Sequence, residues 1–192
     1  MADWSGTDFR IGELKMQAPV VQGGMGIGIS MSGLASAVAN EGGVGVISAA
    51  GIGVLGGGTG KLQEDREGLK AEIKKARSKT NGVLGVNIMV ALSNFEEMAR
   101  TAMEENIDLI FAGAGLPLRL PEFCPVGCKT KLVPIVSSAR AADRIAKWWL
   151  RQYRRIPDAF VLEGPKAGGH LGFHPEQIND PDYQLEKWRM SL

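Results

Sequence analysis

The chain has only two cysteines, Cys124 and Cys128, among its 192 residues. That excludes a disulfide scaffold. Neither sign of charge is in surplus: 22 Lys and Arg stand against 21 Asp and Glu, a net charge of +1. A basic nucleic-acid surface and an acidic tail are both unsupported. No window reaches the roughly 18 apolar residues that span a bilayer. The opening "MADWSGTDFRIGELK" has no basic stretch leading into an apolar one, so no secretory signal is visible. The expectation is a soluble, cytoplasmic protein with neither nucleic acid nor membrane as partner.

What the chain does have is glycine. It carries 26, about twice what an average usage of about 7% would give. They follow apolar runs singly or in pairs, as turns against a ligand would, and not as a low-complexity linker. Hydrophobic residues make up 44%, ordinary for one globular domain with a sizeable core.

Short apolar runs alternate with helical patterns. Strands are predicted over 18–24, 44–49, 82–90, 107–115, 131–138 and 158–164, being short, apolar and ended by glycine or polar residues. Helices are predicted over 30–43, 61–79, 93–106 and 139–155. Ser30 or Ser32 can cap the first, and Ser93 with Glu96 fits a capping box for the third. Residues 51–60 read as a flexible loop, and 117–128 as a short helix or irregular stretch. Six strand-then-helix steps predict a parallel sheet covered by helices, either an open doubly wound sheet or a (β/α)8 barrel. Six decorated strand ends favour the barrel mouth. A barrel takes eight units and typically about 250 residues. The chain, ending "NDPDYQLEKWRMSL", is therefore expected to be a single, truncated barrel domain over 1–192 with about six of the eight units.

Several motifs invite chemistry. "GGMGIGIS" (23–30) follows the first strand and can bring backbone N–H groups close to a ligand; it is not the dinucleotide fingerprint, whose glycine spacing it lacks. "LGGGTGKL" (55–62) is not a phosphate loop, because Leu55 replaces its first glycine and Leu62 its Ser or Thr. Cys124-x3-Cys128 and His170-x3-His174 do not match zinc-finger spacing, so free thiols are expected. Asn87 ends a strand, where its amide offers both a donor and an acceptor to a planar heterocycle, or simply forms a turn. Trp148 and Trp149 read as helix packing, with Lys147, Arg151, Arg154 and Arg155 as a solvated basic helix end. His170, directly after Gly168 and Gly169, is the sharpest candidate: an imidazole can act as a general base, and the glycines leave room beside it.

Three segments carry a resemblance: "APVVQGGMGIGISMSGLASAVANEGGVGVI" (18–47), "GVLGVNIMV" (82–90) and "EGPKAGGHLG" (163–172). In this order and spacing the chain resembles the nitronate monooxygenases, formerly 2-nitropropane dioxygenases, a group that includes the FabK-type flavin-dependent enoyl-acyl-carrier-protein reductases and NAD(P)H:quinone reductases. The resemblance implies an FMN-binding TIM barrel. It implies that Gly23, Gly24, Met25 and Gly26 lie against the flavin ring and that Asn87 hydrogen-bonds it. Glu163, Gly168 and Gly169 join them as cofactor-binding positions, and His170 faces the substrate as the catalytic residue. The implied reaction oxidises an alkyl nitronate or nitroalkane with O2 to a carbonyl compound and nitrite. The alternatives are an NAD(P)H-dependent reductase of enoyl thioesters or quinones, or an inactive fragment that self-associates as a homo-oligomer. The resemblance also implies that loops after a seventh and eighth strand hold the FMN phosphate, and six units do not include those strands.

Overall fold

The computed structural model describes residues 8–55 and 57–183. Residues 184–192, the last part of the ending quoted above, lie outside the described residues. A two-stranded antiparallel hairpin opens the fold, β1 (Phe9–Ile11) and β2 (Leu14–Met16). A five-stranded parallel sheet follows, in the order β3 (Gly45–Ser48), β4 (Leu84–Met89), β5 (Leu109–Gly113), β6 (Lys131–Val136) and β7 (Val161–Leu162). Helices α1 (Ser32–Asn40), α2 (Leu62–Arg77), α3 (Phe95–Glu104) and α4 (Ala139–Tyr153) alternate with the strands.

Of the first predicted strand, 18–24, only Val21 pairs as a strand residue. Residues 18–22 meet β3 through one parallel bridge, Val21 to Val44, with Gln22 N donating to Val44 O and Val44 N to Val20 O. With this segment included, six parallel units stand where six were read from the sequence. After β7 come two short 3-10 turns, Pro175–Gln177 and Pro181–Tyr183. The hairpin was not foreseen. Its strands have three residues each, too few for a period to show, and its tight turn rests on Gly12 at φ 59°.

Strand residues alternate between two cores, as a pleat of period two requires. Ile47, Leu84, Val86, Ile88, Ile110, Ala112 and Leu132 face outward and pack under the helices against Ala35, Leu69, Ile73, Met98, Ile145 and Trp149. Val44, Val46, Leu109, Phe111 and Val133 face inward, where the hairpin supplies Ile11 and Met16. A sheet with helices on one face and a packed interior plugged at its base is a partial (β/α) barrel.

Several local expectations fail for identifiable reasons. Neither Ser30 nor Ser32 caps α1 through its side chain; Met31 is the cap residue. Instead Glu72 of α2 reaches across, its Oε2 accepting from Ser32 N at 2.7 Å. Burial opposes ionisation of Glu72, but the hydrogen bonds from Ser32 and nearby Lys75 outweigh it, so its pKa is lowered. The Ser93–Glu96 box does not form either. Asn94 is the cap residue of α3, its amide donates to Asp65 at 2.7 Å, and Glu96 accepts from Arg100 at 2.9 Å. The loop 51–60 is anchored, not loose: Gly53 N donates to buried Asp65 at 3.0 Å and Thr59 N to Glu64 at 2.7 Å.

Trp149 is fully buried and donates to Pro117 O at 3.1 Å, while Trp148 lies half-exposed under Arg151. Arg155 is not solvated as read. It donates to Thr130 O at 3.1 Å and to Asp158 at 2.7 Å. Cys124 and Cys128 are free thiols. Burial, reinforced by the neighbouring Cys128, pushes the Cys124 thiol up to about 11. A metal ligand must be thiolate, and no group of three or more His, Cys, Asp or Glu among the described residues could hold a metal.

Candidate functional site

Two facts about the sheet place the site. All parallel strands end on the same side, and their inward positions continue upward from the apolar interior. Ser48 pairs with Asn87, which pairs with Phe111, and Val161, paired with Ile135, is two residues before Glu163. Ser48, Asn87 and Glu163 therefore share the inward parity of Val46, Phe111 and Val161. They form a polar layer directly above the apolar one.

The first loop folds over this layer through a set of side-chain ties. Gln22 Nε2 donates to Ser30 Oγ and to Val46 O, both at 3.0 Å, and Val46 N donates to Gln22 Oε1 at 3.2 Å. Ser30 Oγ donates to Gly23 O at 3.1 Å and accepts from Met25 N at 2.9 Å. Asn87 Nδ2 donates to Gly24 O at 3.2 Å. Gly24 is required by close approach, since a Cβ there would stand 2.3 Å from Asn87 Cβ. These bonds fix the curl of residues 23–30 and leave Met25 and Ile27 exposed, at 46% and 61%.

The loop after β7 forms the opposite wall. Glu163 N donates to Val136 O at 2.8 Å, continuing the ladder beyond the strand. Its carboxylate accepts from Ser137 Oγ at 3.5 Å. Gly168 and Gly169 stand open, with nothing within 4 Å of the position a Cβ would take, and Gly169 has φ 91°. His170 is exposed. Between the two walls is an open cleft of about 1580 Å³.

Every candidate position borders this cleft. Gly23, Gly24, Met25, Gly26, Asn87, Glu163, Gly168, Gly169 and His170 all line it, joined by apolar Ile27, Leu92 and Leu116 and by hydroxyls of Ser48, Ser137 and Ser138. An apolar cleft with a few convergent polar groups suits a small, largely apolar ligand. An imidazole on its wall can accept or donate a proton. Among the lining residues only Glu163, Lys166 and His170 carry titratable side chains.

The sequence missed Gln22 and took Ser30 for a helix cap. The eight-residue separation of this pair across a glycine loop carries no periodic signal. The one available hint was an amide within an apolar run, which Gln22 shares with Asn87.

Comparisons with known proteins bear on the family and the fold. A family model described as nitronate monooxygenase matches residues 8–117. No curated protein matches the chain at a significant level. Among solved structures the chain is similar to FabK from Thermotoga maritima, with 28% identity and a TM-score of 0.64, over 82% of this chain and 44% of that one. It is also similar in fold to nitroalkane oxidase from Streptomyces ansochromogenes, with 19% identity and a TM-score of 0.65, over 84% of this chain and 51% of that one. The chain thus spans about half the length of the solved structures it matches. With more than half of its residues matched by that one family model, the chain belongs to the nitronate monooxygenase family.

Proposed function

We propose that the cleft holds FMN and that the chain belongs to a flavin-dependent oxidoreductase that oxidises alkyl nitronates or nitroalkanes with O2, giving carbonyl compounds and nitrite. The observation that carries this reading is the convergence of nine residues, drawn from three distant segments of sequence, on one cleft at the strand ends. The residues fit a flat, bulky group. The open positions of Gly23, Gly168 and Gly169 are where side chains would intrude on it, and the remaining wall is mostly apolar.

In this reading the backbone of Gly23–Gly26 and the Asn87 amide hold the ring. One Asn87 N–H is committed to Gly24 O, which leaves the other N–H and Oδ1 for the ligand. Glu163 and the Gly168–Gly169 backbone border it from the far wall. Bound FMN supplies the electron-transfer chemistry. His170 takes the α-proton from a neutral nitroalkane or stabilises an anionic nitronate. The apolar rim of Ile27, Leu92 and Leu116 keeps water from the reacting carbon.

The test is anaerobic mixing of the FMN-loaded protein with propane-2-nitronate. Loss of the yellow colour supports the reading. Bleaching by NAD(P)H but not by the nitronate would replace it with a reductase acting on enoyl thioesters or quinones, a reading favoured by the likeness to FabK. The His170→Ala protein is expected to lose turnover of neutral nitroethane while keeping its FMN. Equal turnover in both proteins would remove the imidazole from the proton step.

A further inference from the structure

We propose that Lys166 is a specificity-determining residue that supplies the cationic contact for an anionic substrate in the cleft. The inference rests on the reading above and names the charge the substrate carries when it binds.

Three observations converge on Lys166. First, among the described residues Lys166 is the only lysine or arginine lining the cleft, and Glu163 lines it as well. An anion entering the cleft would meet repulsion from Glu163 unless a fixed cation answers it. Second, Lys166 makes no ion pair among the described residues. Lys131, Lys147 and Lys70 are engaged, with Glu13 at 2.6 Å, Asp143 at 2.8 Å and Glu104 at 3.6 Å; Lys15, Lys61, Lys79 and Lys129 also lack an ion pair, but of these lysines only Lys166 lines the cleft. Its charge is therefore available. Third, the backbone beneath it is fixed. Gly164 and Pro165 are buried, and Ala167 N donates to Gly164 O at 3.1 Å, closing a turn with Pro165 and Lys166 at its two central positions. Proline sets φ at the first of these. The turn presents an exposed lysine from a firm base, four residues before His170. A lysine on a floating loop would spend its charge on bulk water in every direction; this one is held at the rim of a cleft.

The contact is between exposed groups, so it acts on binding and encounter and weakens with salt. It does not touch the reacting carbon, and its removal leaves the rate at saturation unchanged. Arginine in its place keeps the charge.

The experiment uses the purified chain with FMN in excess and measures nitrite binding by calorimetry, nitrite being an anion that is not turned over. Lys166→Gln is expected to weaken nitrite binding roughly threefold to tenfold at low ionic strength. The difference is expected to shrink at about 0.5 M salt, and Lys166→Arg is expected to bind as the parent does. In parallel, KM for propane-2-nitronate is expected to rise in Lys166→Gln, with KM for neutral nitroethane and both kcat values unmoved. Equal nitrite binding by Lys166→Gln and the parent would overturn the inference, as would no saturable binding by the parent. Weaker FMN binding with nitrite binding unchanged would assign the ammonium to the cofactor and likewise overturn it. If nitrite binding depends on Lys166 but no nitronate is turned over, the anion contact stands and the functional reading fails. If nitronate is turned over with the same KM in Lys166→Gln, the functional reading stands and this inference fails.

Discussion

Where the strands of the sheet begin, charges are spent on holding the backbone; where they end, glycine replaces bulk and titratable side chains border an open cleft. At the start of β5, Asp108 Oδ2 accepts from Leu84 N at 2.8 Å and from the Arg77 guanidinium. At the start of β7, Asp158 Oδ2 repeats the device, accepting from Leu132 N at 2.8 Å and from Arg155 at 2.7 Å. Lys131 ties the hairpin plug to this end through Glu13. At the opposite end, Lys166 makes no ion pair among the described residues and His170 is exposed, and both border an open cleft. One sheet thus keeps its backbone-holding ion pairs at one end and its open cleft at the other, the polarity of parallel barrels. The difference teaches how to read a glycine or a charge here: by which end of a strand it marks.

The glycines show this most sharply. Gly45 opens β3 in close contact with α1, where a Cβ would come 1.8 Å from Ala35 O. Gly168, at the cleft, has open space in that direction. The largest expected effect is therefore Gly45→Ala, which forces α1 off the sheet and should cost about 3 kcal/mol in urea denaturation. A stability loss under about 0.5 kcal/mol would mean that the helix is not seated as described.

Asp108→Ala comes next. It leaves the Leu84 N–H and the Arg77 charge without their acceptor, at about 2 kcal/mol, while FMN retention should be unchanged. A loss of FMN without a loss of stability would erase the distinction between the two ends. Glu72→Gln is smaller, about 1 kcal/mol by analogy with a lost helix cap, and it carries a pH signature. Because the folded pKa of Glu72 is lowered, its contribution is complete above the ordinary glutamate range. It is lost as pH falls through the lowered value. The gap between Glu72→Gln and the parent should therefore close on acidification, and a gap constant down to pH 3 would contradict it. Least costly to the fold is Gly168→Ala, expected to change stability by no more than about 0.5 kcal/mol yet to weaken FMN binding about tenfold through overpacking against the ligand. Unchanged FMN affinity would show that the glycine faces solvent alone.

Much of this was legible in the sequence because its signals are local. The five sheet strands announce themselves as short apolar runs, and α4 as a long amphipathic pattern; Asn87, read as a strand end, lies inside β4, with Ile88 and Met89 still paired beyond it. What stayed hidden depends on partners far along the chain. Glu72 caps α1 from 40 residues away, and Asp65 draws Asn94 from 29, so neither helix start could be read from its own residues. Residues 18–24 read as a full strand but form a single bridge, Val21 to Val44. The glycines were read as facing a ligand. Gly23 and Gly168 do border the cleft, but Gly45 and Gly85 are there for packing, the latter making room for the Phe111 ring. Sequence spacing does not distinguish the two uses.

The most direct test of the central claim, that the cleft at the strand ends holds a flavin, is the visible absorption spectrum of the purified protein after incubation with FMN and desalting. The account predicts flavin bands that stay with the protein and weaken in Gly168→Ala at equal folded content. A colourless protein with a cooperative unfolding transition would contradict it, leaving a well-folded chain whose cleft does not bind the cofactor.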